Sequence, residues 1–136
     1  MDSDRARDFL RANHRAVMAT TRADGTTQMS PITAGVDAEG RVVVSSRETA
    51  YKVAHVRALP YAAICAFTDG FFGEWVQVEG PVDVVSLPDA MEPLVDYYRA
   101  ISGEHPDWDD YRAAMTSDRR VVLRLTIERS GPTVSG

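Results

Sequence analysis

Three short turn signals set the strongest limit on the fold. Ala23-Asp24-Gly25, Asp37-Ala38-Glu39-Gly40 and Thr68-Asp69-Gly70 each separate runs rich in β-branched or small apolar residues. Asp-Gly supplies the positive φ of a tight turn, and a tight turn between two extended runs makes a hairpin. The runs so bounded cover residues 16–21, 26–36, 42–46, 61–67 and 74–85, and a sixth at 121–127 follows later. Within 74–85 the side chains alternate, with Trp75, Gln77 and Glu79 on one side and Val76 and Val78 on the other. That is the period of a strand with one buried face. Pro31 has no N–H for a sheet ladder, so the second strand lies at an edge or is bulged there. Hairpin-joined strands with few helices between them predict a mainly β chain: a six-stranded antiparallel barrel with peripheral helices.

Four helices fill the gaps. The first covers residues 3–13, capped by Ser3 or Asp4, with Phe9 and Leu10 as apolar contacts. The second covers 49–59, with Thr49 as cap, Val53, Val56 and Leu59 on one face, and Pro60 as the stop. A third opens at Leu87-Pro88-Asp89 with proline in its first turn, carries Met91, Leu94, Val95 and Tyr98, and ends before Gly103. A fourth covers 107–115, and the tail from Ser130 reads as frayed. Without repeats, linkers or low-complexity blocks, residues 1–136 read as one domain.

Composition excludes several classes. With 44% hydrophobic and 26% charged residues the chain is globular rather than disordered. A single cysteine, Cys65, excludes an internal disulfide and a multi-cysteine metal site, and points to a reducing compartment. In its strand, Cys65 reads as a small buried hydrophobe. The start, Met1-Asp2-Ser3-Asp4-Arg5, lacks the apolar core of a signal peptide, and no apolar run approaches the ~20 residues of a membrane span. The expectation is a cytoplasmic protein with no membrane partner. A net charge of −5 disfavours a nucleic-acid surface. Residues 1–60 nonetheless carry nine basic against seven acidic side chains, so an acidic ligand is expected on the first half. Of the fifteen basic residues, only Lys52 is a lysine.

No hydrolase, kinase or dinucleotide-binding motif occurs, and His14, His55 and His105 lack metal-ligand spacing. Two segments remain. Ser45-Ser46-Arg47-Glu48-Thr49-Ala50-Tyr51-Lys52 leaves a strand, offers three hydroxyls and enters a helix through amides that are free to bind an anion. It reads equally as a capped helix with a solvated lysine. Gln28-Met29-Ser30-Pro31-Ile32-Thr33-Ala34-Gly35 is a kinked strand whose amides and carbonyls suit the rim of a flat ring, or an ordinary edge strand.

Taken together, the ordered segments resemble the split β-barrel flavin and deazaflavin oxidoreductases, relatives of pyridoxamine 5′-phosphate oxidase. Within them the chain is most similar to actinobacterial enzymes that use coenzyme F420. The resemblance covers nearly the whole chain. It is carried by Ala16-Val17-Met18-Ala19-Thr20-Thr21, Gln28-Met29-Ser30-Pro31, the serine pair through Lys52, and Trp75-Val76-Gln77-Val78-Glu79-Gly80. Tyr98 through Arg112 and Asp118-Arg119-Arg120-Val121 extend it.

The resemblance implies an F420-dependent oxidoreductase that transfers hydride to an unsaturated or quinone-like small molecule. The alternatives are an FMN-dependent oxidase-like enzyme and a non-catalytic F420-binding protein. It implies that Ser30 to Gly35 border the tricyclic ring, with Met29, Ser30, Pro31 and Ile32 among the cofactor-binding residues, that Ser45 and Ser46 bond the phosphate or ribityl chain, and that Lys52 pairs with the phosphate. Flavin-binding relatives have arginine where this chain has Tyr51, and close F420-using relatives have one where it has Ala50; Arg47 is the neighbour placed to compensate. Tyr51 is also a candidate proton donor, although no catalytic residue is assigned. A homodimer with its cofactor between subunits is implied too, with Trp75 and Gln77 facing the partner's cofactor and with Trp108-Asp109-Asp110-Tyr111 at the pocket or the dimer contact.

Overall fold

The computed structural model describes residues 2–132. Asp24 accepts from the Thr26 amide at 3.0 Å and its hydroxyl at 2.6 Å while Gly25 takes φ +86°, reversing the chain between β1 (Arg15–Thr21) and β2 (Thr27–Val36). Asp37 accepts from the amides of Glu39 and Arg41 at 3.0 and 2.8 Å, and with Gly40 at φ +80° it joins β2 to β3 (Val42–Arg47). The third signal works differently. Between β4 (Tyr61–Phe67) and β5 (Trp75–Val85) the positive φ falls on Phe71 and Gly73 rather than on Gly70, and Phe71 and Phe72 stand exposed.

All pairings are antiparallel, and they close a ring. β1 lies between β2 and β4, β3 between β2 and β6 (Arg120–Leu125), and β5 pairs with both β6 and β4. The result is a closed six-stranded barrel with one added strand, β7 (Arg129–Gly131), on β5. Two strands divide their loyalties. β2 pairs with β1 through Thr33 and with β3 from Ala34; β5 pairs with β4 through Pro81 and with β6 from Val82. Pro31 falls where β2 has only one neighbour, as its missing donor requires.

Met18, Val42, Val44, Ile64, Val76, Val78, Leu123 and Leu125 fill the barrel. Leu10 of α1 (Ser3–Ala12) and Val53 and Val56 of α2 (Tyr51–Ala58) join the same core. A second core forms outside the wall, where Val43 and Val122 meet Leu94 and Val95 of α3 (Met91–Ser102) and Tyr111 of α4 (Trp108–Ser117). Val42-Val43-Val44 and Val121-Val122-Leu123 are therefore unbroken apolar runs because both faces of these strands are covered.

Several local expectations are corrected. Asp2, not Ser3 or Asp4, caps α1, accepting from the Asp4 amide at 2.8 Å. Thr49 caps nothing: α2 begins after Ala50, which has no side-chain cap bond. Leu59 lies beyond α2 and is exposed. Pro88 precedes α3, and the proline in its first turn is Pro93. Cys65 is half-buried rather than buried. Ser130 and Gly131 are paired within β7 rather than frayed, while residues 133–136 of that expected tail lie outside the described residues.

Candidate functional site

Strand periodicity builds the site. Val43, Ser45 and Arg47 share the face of β3 that turns from the barrel interior, and Arg47 and Ser45 pair with Arg120 and Val122 of β6. The second core covers this face only as far as Val43 and Val122. Beyond it opens a cavity of about 730 Å³. Pro31, Ile32 and Thr33 of β2 form one side, and Ser45, Ser46, Arg47, Ala50 and Lys52 form the floor. Tyr97, Tyr98, Tyr111 and Met115 form the helical wall, with Arg120 beside them. α2 is fixed to the barrel by Val53, Val56 and a 2.9 Å hydrogen bond between His55 Nδ1 and the buried Thr20 hydroxyl.

The cavity is cationic, and no carboxylate is among the residues that line it. Lys52 is half-buried and makes no hydrogen bond or ion pair among the described residues. Burial pushes its ammonium below the ordinary lysine range, and the Arg120 guanidinium pushes it further. Arg120 makes no hydrogen bond either: its Nε is buried without a partner, and the nearest carboxylate oxygen, on Asp118, stands 3.7 Å away. The N-terminus of α2 adds to this field, with neither a side-chain cap nor an acidic residue in its first turn. Such an arrangement is suited to holding an anion.

The tyrosines are neutral walls. Tyr97 donates to the Thr33 carbonyl and Tyr111 to that of Leu94, each at 2.7 Å. Burial raises Tyr97 and pushes Tyr111 up to about 12, so both keep their protons at neutral pH. Tyr98, His105, Trp108 and Tyr111 pack ring against ring, with neighbouring centroids 5.0–5.8 Å apart, which stiffens the wall. Asp107, which caps α4 by accepting from the Asp110 amide, accounts for part of the acidic cluster there. No cluster able to hold a metal occurs among the described residues.

Of the residues singled out from sequence, Pro31, Ile32, Ser45, Ser46, Arg47 and Lys52 meet at this cavity. Met29, Ser30, Tyr51, Trp75 and Gln77 do not line it. Tyr51 is 77% exposed. Met29, Trp75 and Gln77 occupy a different surface, the outer face of β2, β1, β4 and β5. There Met29 pairs with Ala19, Pro31 and Cys65 with Val17, Ala63 with Ala19, Gln77 with Cys65, and Trp75 with Phe67. None of these residues belongs to either packed core, and Met29 is 70% exposed. Pro31 belongs to both surfaces. Ser30, opposite Met18, is half-buried.

Sequence reasoning did not single out Tyr97, Met115 or Arg120 as site residues. Arg120 carries no local signal, since it reaches the cavity only through the β3–β6 register.

Comparison with known proteins agrees with this architecture. A fold neighbour from Mycobacterium tuberculosis, a conserved hypothetical protein, is 18% identical with a TM-score of 0.78, covering 100% of this chain and 93% of that one. An F420 reductase is 19% identical with a TM-score of 0.70, covering 91% of this chain and 94% of the other. A NimC/NimA family protein from Clostridium acetobutylicum is 20% identical with a TM-score of 0.64, covering 91% and 81%. The sequence model of pyridoxamine 5′-phosphate oxidase matches residues 3–132. On that match across almost its whole length, the chain belongs to the pyridoxamine 5′-phosphate oxidase family.

Proposed function

We propose that this chain is an F420-dependent oxidoreductase, working as a homodimer with the coenzyme between subunits and passing hydride to an unsaturated or quinone-like small molecule. One observation carries the reading: a half-buried, unpartnered Lys52 at an uncapped helix start, in a cavity that Ser45 also lines and that is large enough for a tricyclic coenzyme. The residues fit such a group. Lys52 and Ser45 would hold its phosphate, Pro31 and Ile32 would border its ring, and the tyrosine wall would keep water from one side; the expected Ser46 is buried and donates its hydroxyl to the Arg47 carbonyl instead. When bound and reduced, a deazaflavin supplies the hydride from its ring carbon five; the protein orients and desolvates rather than donating acid or base. The neutral, internally bonded tyrosines agree with that division.

The dimer is supported by the outer face of β2, β1, β4 and β5. Small and apolar side chains there join neither core, and Pro31 links that face to the cavity rim. A second copy seated on it would bring Trp75 and Gln77 toward the partner's ring.

Flavin mononucleotide is the competing coenzyme. Titrating F420 and flavin mononucleotide side by side decides between them, and the expected result is tighter F420 binding. The reverse ranking would establish the flavin reading. Lys52→Ala is expected to cost roughly 1.5–3 kcal/mol of coenzyme affinity, about ten- to a hundredfold in Kd. An unchanged Kd would remove Lys52 from the site. Acceptor reduction by the preloaded, reduced coenzyme then separates an enzyme from a storage protein.

A further inference from the structure

Among the described residues, Arg120 Nε is the one buried side-chain polar atom without a hydrogen-bond partner. Its strand reaches the cavity through a residue in the left-handed region, Arg119 at φ +54°, whose carbonyl accepts from the Glu48 amide at 2.9 Å. That contact, with the Arg47–Arg120 pairing, fixes where the side chain emerges. The guanidinium forms no hydrogen bond; its charge is met only by a loose ion pair with Asp118, whose oxygen at 3.7 Å from Nε is too far to accept a hydrogen bond. The Glu48 carboxylate is bonded to Arg57. Arg120 therefore faces another cation, Lys52, across a cavity that also touches Arg47. A buried donor without an acceptor beside a like charge is unfavourable in the free protein, and an anion bound between the two would remove both penalties.

We infer that Arg120 is a direct ligand of this cavity's anion, so that a phosphate-class group is gripped between α2 and β6, by Lys52 and Arg120, rather than by the α2 segment alone. The anion is a phosphomonoester or phosphodiester, because a planar guanidinium and a point-like ammonium together suit tetrahedral oxygens. The inference rests on the reading that the cavity takes a phosphate-bearing coenzyme, but it is tested with inorganic phosphate alone.

In the wild-type chain, the Arg120 Nε–H resonance in ¹⁵N spectra, assigned through Arg120→Lys, should move on addition of phosphate and stay still in chloride of equal ionic strength. Calorimetric phosphate affinity should fall about tenfold or more in Arg120→Gln and in Lys52→Ala, with Arg120→Lys recovering part of the loss. A merely structural arginine would not produce the phosphate-dependent shift. Wild type that takes up no phosphate, an unmoved Arg120 signal, or full phosphate affinity in a folded Arg120→Gln overturns the inference. Phosphate binding through Arg120 with no affinity for F420 or flavin mononucleotide overturns the proposed function alone. Coenzyme binding undiminished in Arg120→Gln overturns the inference alone.

Discussion

Lys52 carries a cost in the free protein that a solvated lysine does not. Its pKa is lowered, chiefly by burial, so the unfolded chain holds that proton more readily than the folded one. The folded state is thus penalised while Lys52 is charged, and stability rises with pH as the group loses its proton. In the free protein, Lys52→Met is expected to melt above the wild type at pH 7, with the gap closing as pH climbs toward the ordinary lysine range. A lower melt for the variant at pH 7, followed by circular dichroism, would count against a penalised Lys52. Ser45, Ser46 and Lys52 were legible because they are neighbours in one strand-to-helix segment, and Lys52 stood out as the chain's only lysine. Tyr111 was legible only as part of the Trp108–Tyr111 segment expected at the pocket or the dimer contact; Arg120 and Tyr97 were not legible, because they come from the chain's second half, and only strand pairing and helix packing bring them across.

At the scale of elements, turn chemistry was the readable part. Two of the turn signals, 23–25 and 37–40, formed hairpins because the aspartate bonds its own backbone and the glycine accepts a left-handed φ. Helix starts were less readable, since Asp2 and Ala50 took the positions that Ser3 or Asp4 and Thr49 had suggested. Short β7 escaped notice because three residues carry no period. Gly80, near the point where β5 exchanges β4 for β6, has a sharper requirement. A Cβ there would lie 1.8 Å from the Thr126 carbonyl oxygen, which is backbone and has little room to yield. Gly80→Ala is expected to lose about 3 kcal/mol or more in urea denaturation. Stability equal to wild type would show that the 126–128 segment can be displaced freely.

For the molecule as a whole, barrel closure was predictable from strand count and hairpin connection, whereas the uncovered face emerged only once both cores were located. Ala19 lies near the middle of that face, opposite Met29 and Ala63. Ala19→Arg is expected to convert a dimeric wild type into a monomer by analytical ultracentrifugation, with its cooperative melt retained and coenzyme binding weakened. A wild type that sediments as a monomer at micromolar concentration would remove the dimer from the proposal. Pro31 gives the two surfaces a common border. By thermodynamic reciprocity, whatever factor pairing adds to ligand affinity, ligand must return to pairing. Dilution and coenzyme supply would then act as opposing controls on a single equilibrium.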